Sequence, residues 1–320
     1  MSDAAEPAVL PPHHLLNAFP NINVCAPMVR YSKLPFRALV ARYDTHITTT
    51  PMILATEFSR NAKARDSDFT TNGDERYIYN LADNAGNMHT VRGALVCQLA
   101  SSEASPLADA AELLQPYVDG IDLNCGCPQP WAYAEQLGSY LLRQPETVAD
   151  MVRTIKARMA DGFCVSVKIR IDEDLRRTDT LVRNALHAGA SMLTIHGRTR
   201  TQPSQSYPVN LDGVKFAVES ANACGLHTPI GTSPSWSIGE DGGSGGIVPT
   251  VVNGDIWTRE DAIQHRTATG ARGAMSARGL LANPALFAGH ATTPQDAVAT
   301  FVDYAAKWGL HPALFQYVYC

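Results

Sequence analysis

The chain has no surplus of positive charge. Its 26 lysines and arginines are outnumbered by 31 aspartates and glutamates, a net of −5, whereas domains that bind nucleic acid are usually strongly basic. Any polynucleotide site would be a local basic patch on an acidic body. Long apolar runs are missing as well. Nothing is long enough to span a bilayer, and the acidic start Met1-Ser2-Asp3-Ala4-Ala5-Glu6 has no apolar h-region. The expectation is a protein of the cytoplasm and/or nucleus, with no secretion signal and no membrane. Cysteine is sparse: the seven (25, 97, 125, 127, 164, 224, 320) are odd in number and lie mostly in apolar, strand-like runs. That argues against a disulfide framework and for reduced thiols. Cys125 and Cys127 are one residue apart, which fits neither a CxxC redox pair nor a zinc knuckle, so no metal is expected.

What is present is a large apolar content, 45% of 320 residues, enough for one sizeable core. Apolar strand-like runs fall at 23–27, 46–52, 95–99, 120–124, 163–170, 192–196, 249–253 and 273–277. Helical stretches lie at 34–43, 58–65, 106–117, 145–159, 178–188, 213–223 and 258–266, and 282–288 follows the last strand. Strand and helix in alternation predict a closed parallel (β/α)8 TIM barrel over 21–290. Residues 1–20, rich in Pro and Ala and without periodicity, read as a flexible arm. Residues 291–320, with a helix over 295–308, read as a short, incomplete helical extension. Segments 76–91 and 231–246 read as flexible insertions on the face opposite the strand ends. Gly242-Gly243-Ser244-Gly245-Gly246 matches GxSxG, but a nucleophile elbow needs a strand before it and a loop stands there instead.

Barrel chemistry gathers at the carboxyl ends of the strands. Those ends carry Pro27-Met28-Val29-Arg30, Pro51-Met52, Gln98, Asn124 to Cys127, Lys168 and Arg170, His196-Gly197-Arg198, Asn253-Gly254-Asp255 and Ala277-Arg278-Gly279. Scattered surface polarity would not respect strand ends so regularly, so this ring is the candidate active site. In Ile121-Asp122-Leu123-Asn124-Cys125-Gly126-Cys127-Pro128 an apolar strand runs into a rigid turn that carries Asn124 and Cys127 past its end. Alone, Cys127 reads sooner as a small buried hydrophobe than as a reactive thiol. Lys168 shares a strand face with Ser166 and Arg170. If that face is the interior, an ammonium there calls for an anion. His196 could donate to the same ligand, and the Gln98 amide can both give and accept. Asn253-Gly254-Asp255 and Ala277-Arg278-Gly279 stand where barrels cradle phosphate, each leading into a helix N-terminus. A flavin mononucleotide across the mouth would use all of these groups. Cys127 would face its ring from across the substrate, as a thiol that is protonated at neutral pH and suited to proton donation.

Read together, these motifs resemble the tRNA-dihydrouridine synthases, FMN-dependent barrels that reduce uridine in the tRNA D-loop. The resemblance rests on Ala26-Pro27-Met28, Asn124-Cys125-Gly126-Cys127-Pro128, Val167-Lys168-Ile169-Arg170, His196-Gly197-Arg198, Asn253-Gly254-Asp255-Ile256 and Ala277-Arg278-Gly279, in family order from about residue 22 to 290. The runs from Cys25 to Arg37, from Ala64 to Ser67 and from Arg278 to Pro284 are similar to the eukaryotic subgroup acting at positions 20a and 20b. The resemblance implies that Cys127 gives the proton to uracil C5 while flavin N5 gives hydride to C6. It implies flavin contacts from Pro27, Met28, Val29, Gln98, Lys168 and His196. It places the ribityl chain and phosphate on Asn253, Gly254, Asp255, Ala277 and Arg278, with NADPH (or NADH) reloading the flavin. It also implies tRNA as partner, with Asn124, Arg170 and Arg198 as RNA contacts, and a monomer is expected. The family continues into a helical domain that grips tRNA, within which this sequence stops.

Three rival readings remain open on the sequence. The first is an FMN barrel acting on a small molecule, which would not need the basic approach of Arg30, Lys33, Arg37, Lys63 and Arg65. The second is a flavin-free lyase with Lys168 as a Schiff-base amine. The third is a non-catalytic tRNA-binding barrel.

Overall fold

A computed structural model describes residues 6–228, 246–312 and 314. Eight strands form its centre: β1 Ile22–Cys25, β2 Ile47–Thr49, β3 Ala94–Ala100, β4 Gly120–Cys125, β5 Cys164–Arg170, β6 Met192–His196, β7 Thr250–Asn253 and β8 Gly273–Ser276. Each pairs in parallel with the next, and β8 pairs with β1, so the sheet closes on itself. The strands are rich in Val, Ile and Leu and buried along nearly their whole length, as a parallel sheet covered by helices requires. The expected (β/α)8 barrel is what the chain forms.

The helices follow from local chemistry. Pro145–Arg158 opens on a proline and buries Val148, Met151, Val152 and Ile155, one stripe at helical spacing. Asp174 and Asn210 cap the helices Leu175–His187 and Leu211–Ala223 through their side chains. Register then aligns neighbouring inward side chains. Asn124 lies beside Lys168 and Lys168 beside Thr194, while Arg170 lies beside His196 and His196 beside Asn253. The face holding Ser166, Lys168 and Arg170 is therefore the barrel interior.

Two expectations of looseness are corrected. The first twenty residues are not all a flexible arm: helix Pro12–Ala18 buries Leu15 and Leu16, and Leu10 and Phe19 are buried beside it. Leu16 abuts the start of β8, where a side-chain carbon on Gly273 would come within 2.5 Å of it. Four large apolar residues close the amino-terminal end of the barrel, which no solvated arm could do. Segment 76–91 is likewise ordered. Strands Ile78–Ala82 and Met88–Arg92 form an antiparallel hairpin, joined on its edge by Ala8–Val9. Tyr79 and Val91 are buried beneath it, and Asp83 closes its turn by accepting from the Ala85 and Asn87 N–H groups, each at 2.9 Å. All of 231–246 except Gly246 lies outside the described residues, and with it most of the GxSxG match.

Helix Gln295–Lys307 packs on helix Leu34–Ala41 through buried Ala297, Phe301 and Ala305. Tyr43 donates to Asp296 at 3.3 Å, and Lys307 pairs with Asp74 at 2.9 Å. Among the described residues, no helix is long and apolar enough to cross a membrane.

Candidate active site

The strands stay buried until their carboxyl ends, where Pro27, Cys127, Lys168, Arg170, His196, Asp255, Ala277 and Arg278 become half-exposed together. Four cations collect there. Lys168 reaches across the mouth and donates to Asn253 Oδ1 at 3.0 Å, while Asn253 donates to the Met275 carbonyl at 2.9 Å. Burial, reinforced by Arg170, brings the Lys168 ammonium down to about 8, while Asp122 pulls the other way. Arg170 donates to Gly126 O at 2.8 Å and Thr199 O at 3.1 Å, and burial beside Arg198 brings it down to about 10. The His196 imidazole is pushed well below its usual range by burial and by Lys168, Arg170, Arg198 and Arg278. At neutral pH it is uncharged, and its Nε2 accepts from Arg198 at 3.4 Å.

Asp255 answers this charge from the β7 end. Its carboxylate takes Arg198 at 2.5 Å and Arg278 at 2.9 Å, and it accepts from Val209 N–H at 2.9 Å. Burial alone would raise the carboxyl, but these partners hold it below its ordinary value. Gly254, at φ +125°, makes the turn possible: a side chain there would meet Val209 at 2.8 Å and the His196 ring at 3.1 Å. The helix Arg259–Thr269 after β7 opens on a capping box, in which Thr258 Oγ1 accepts from the Asp261 N–H and Asp261 accepts from the Thr258 N–H. The residues expected to form the cradle, the Asn253–Asp255 turn with Ala277 and Arg278, lie together at this end of the mouth.

Cys127 sits on the turn beyond β4. Asn124 Oδ1 accepts from the Gly126 and Cys127 N–H groups at 3.1 and 2.9 Å. Arg170 donates to the carbonyl of Gly126 and Lys168 lies in register with Asn124, so the turn that carries the thiol stands beside both at the mouth. Cys25, Cys97 and Cys164 are buried, with thiols pushed up to about 12, and burial likewise raises Cys125 well above its ordinary value. Among the described cysteines, Cys127 is the half-buried one at the strand ends.

The structure reassigns several residues singled out in the sequence. Gln98 is 1% exposed and both ends of its amide are engaged: Nε2 donates to Asp122 and Oε1 accepts from Asn124, each at 2.7 Å. Its amide lies at the base of the mouth, tied to β4 at both ends. Arg198, expected at RNA, is also 1% exposed and donates to Tyr207 O as well as to Asp255. Asn124, 8% exposed, spends its amide on Gln98 and the Cys127 turn. Arg37 is no part of a basic approach, being buried against Glu75 at 2.5 Å. Met28 is buried, Val29 is exposed, and Ser32 Oγ accepts from the Met28 N–H at 3.0 Å to hold that turn.

Two features escaped the sequence reading. Asp122 lies beneath the mouth, and two exposed aromatics carry guanidinium groups, Arg200 over Tyr133 at 3.6 Å and Arg278 over Trp257 at 5.0 Å. The signal for the second was present as Trp131, Tyr133 and Trp257 just past strand ends, where a core has no use for them.

Fold and site together define a barrel enzyme with a cation-rich mouth and an accessible thiol. The model of the dihydrouridine synthase (Dus) family matches residues 24–223 and 244–311. The chain is 40% identical over 289 residues to a human protein named tRNA-dihydrouridine(20a/20b) synthase-like, covering 90% of this chain and 77% of that one. To the Schizosaccharomyces pombe tRNA-dihydrouridine(20a/20b) synthase it is 41% identical over 296 residues, covering 92% and 77%. To that of Saccharomyces cerevisiae it is 36% identical over 303 residues, covering 93% and 71%. The chain belongs to the dihydrouridine synthase family.

Proposed function

We propose that this protein reduces uridine to 5,6-dihydrouridine in the D-loop of tRNA, at positions 20a and 20b, using FMN that NADPH reduces. The observation that carries this reading is the make-up of the mouth: Arg170 donates to Gly126 next to Cys127, Lys168 lies in register with Asn124 of the same turn, and Asp255 ties Arg198 to Arg278 beside them. The residues fit an anionic, planar cofactor. Lys168 has a neutral amide as its hydrogen-bond partner, and the four arginine and lysine side chains face one rim carboxylate, Asp255, with Asp122 below. When bound, FMN supplies hydride to uracil C6.

The protein's own residues do the rest. Arg278, held by Asp255 and resting on Trp257, is aimed at a phosphate, with the Asn253-Gly254 turn beside it. Lys168 and neutral His196, with Pro27, Met28 and Val29, would hold the flavin ring. Cys127 donates its S–H proton to C5, and the thiolate left behind is stabilised by Lys168 and Arg170. Arg170, Arg200 and Tyr133 meet the RNA, where stacking on an arginine-backed aromatic suits an unpaired base. The chain acts as a monomer on tRNA in the cytoplasm or nucleus.

The test is dihydrouridine at positions 20a and 20b of unmodified tRNA incubated with the purified protein, FMN and NADPH. Formation at those positions is expected. A colourless protein that takes up no FMN, or tRNA unchanged in cells lacking the gene, overturns the reading.

A further inference from the structure

We propose that Asp122 is a positioning residue: through the amide of Gln98 it orients the amide of Asn124, and so sets the turn that presents Cys127. Asp122, on β4, is 4% exposed. One carboxylate oxygen accepts from Ser166 Oγ at 2.5 Å and the other from Gln98 Nε2 at 2.7 Å. Gln98 Oε1 then accepts from Asn124 Nδ2 at 2.7 Å, and Asn124 Oδ1 accepts from the N–H groups of Gly126 and Cys127. Donor follows acceptor through every link.

A side-chain amide is nearly symmetric in shape but opposite in polarity at its two ends. Two such amides in series hold one direction only if a group of fixed polarity stands at the end of the chain. A carboxylate accepts and never donates, so it draws the Gln98 NH2 toward itself and turns its oxygen to Asn124. The Asn124 NH2 then faces Gln98, and its oxygen is left for the turn. Without the acceptor, Gln98 keeps a buried, unsatisfied donor or flips. A flip sets NH2 against NH2 at Asn124 and withdraws the oxygen that holds Gly126 and Cys127.

The consequence for catalysis rests on the proposed role of Cys127 as proton donor, but the relay is read without turnover. Amide hydrogen exchange at Gly126 and Cys127 is measured on the full chain, with circular dichroism to confirm folding. Asp122→Ala should speed exchange at those two amides roughly tenfold or more. Asp122→Asn should stay within about threefold of wild type, since its Oδ1 can still accept from Gln98. If the role of Asp122 were only to offset the Lys168 charge, Asn and Ala would behave alike. Gln98→Met cuts the same chain one link later and should match Asp122→Ala. The double variant should be no worse than either single, as links in series require.

Should Asp122→Ala fail to fold, Gln98→Met against Asp122→Asn makes the same comparison. Unchanged exchange in Asp122→Ala or Gln98→Met, equal effects of Ala and Asn, or additive losses in the double variant overturns the proposal. A wild-type protein that reduces no uridine overturns the role of Cys127 instead, and leaves the exchange result standing.

Discussion

Gly138 is packed against Cys127. A side-chain carbon on Gly138 would lie 2.7 Å from the Cys127 Cβ and 2.8 Å from its carbonyl oxygen, and the glycine sits at φ +60°. The next residue, Ser139, donates its N–H to that carbonyl at 2.9 Å. Thiol and glycine thus form one unit across a loop. Gly138→Ala meets both a clash and a left-handed backbone, so the thiol should shift. Turnover is expected to fall roughly 10²-fold, as for a misplaced reacting group, while FMN uptake, read from flavin absorbance, stays close to wild type. Wild-type turnover in that variant would show that the loop tolerates the displacement.

Cys127→Ala separates binding from chemistry. The variant should keep its flavin, because Lys168, Asn253 and Arg278 are untouched. It should lose roughly 10² in rate or more, the usual size of a lost general acid. Single-turnover reduction of tRNA by pre-reduced protein checks this, and an intact rate would remove the thiol from the mechanism.

Lys168 sets a pH dependence. Burial, with Arg170 beside it, lowers the folded ammonium from 10.5 to about 8. Between those values the unfolded chain binds the proton and the folded one does not, so the ligand-free protein gains stability as pH rises through that window. Below about 8 both states are charged, and the penalty of the buried cation stands in full. An anionic ligand favours the charged form, so FMN affinity should fall as pH rises past about 8. Lys168→Met should bind FMN more weakly and flatten that curve. FMN titrations across the window decide it: a wild-type affinity that does not change would be the contrary result.

Arg37 and Glu75 govern stability. Their side chains are 1% and 0% exposed, and Arg37 also donates to the Ser32 and Thr70 carbonyls at 2.7 and 2.6 Å. Glu75→Ala leaves a buried guanidinium without its carboxylate, which should destabilise the protein by about 3–5 kcal/mol. Chemical denaturation measures it. Because Ser32 also holds the Met28 turn, flavin uptake should weaken alongside.

Tyr133 and Arg200 test the rim. Tyr133→Ala removes an exposed ring that carries the Arg200 guanidinium. A lost stacked base costs about 1–3 kcal/mol in RNA binding, so tRNA affinity in a filter-binding assay should fall while FMN content holds. Unchanged affinity would move the RNA elsewhere on the mouth.

Sequence alone determined the eight strands, because β-branched apolar runs, prolines and glycines act over a few residues and need no distant partner. Once the strands were in order, barrel topology put Cys127, Lys168, His196, Asn253 and Arg278 at one end, and the ring of candidate residues was legible. Only the tertiary structure decided which of those polar groups are still free to act. Arg37 meets a carboxylate 38 positions away and Arg198 one 57 positions away, and Gln98 spends its amide on the neighbouring strand. The stretch 10–19 and the hairpin at 78–92 were settled in the same way, by apolar surface that found a partner far along the chain. Whether a charged or amide side chain is spent inside the fold depends on what comes within about 3 Å of it, and local patterning carries no information about contacts between residues so far apart.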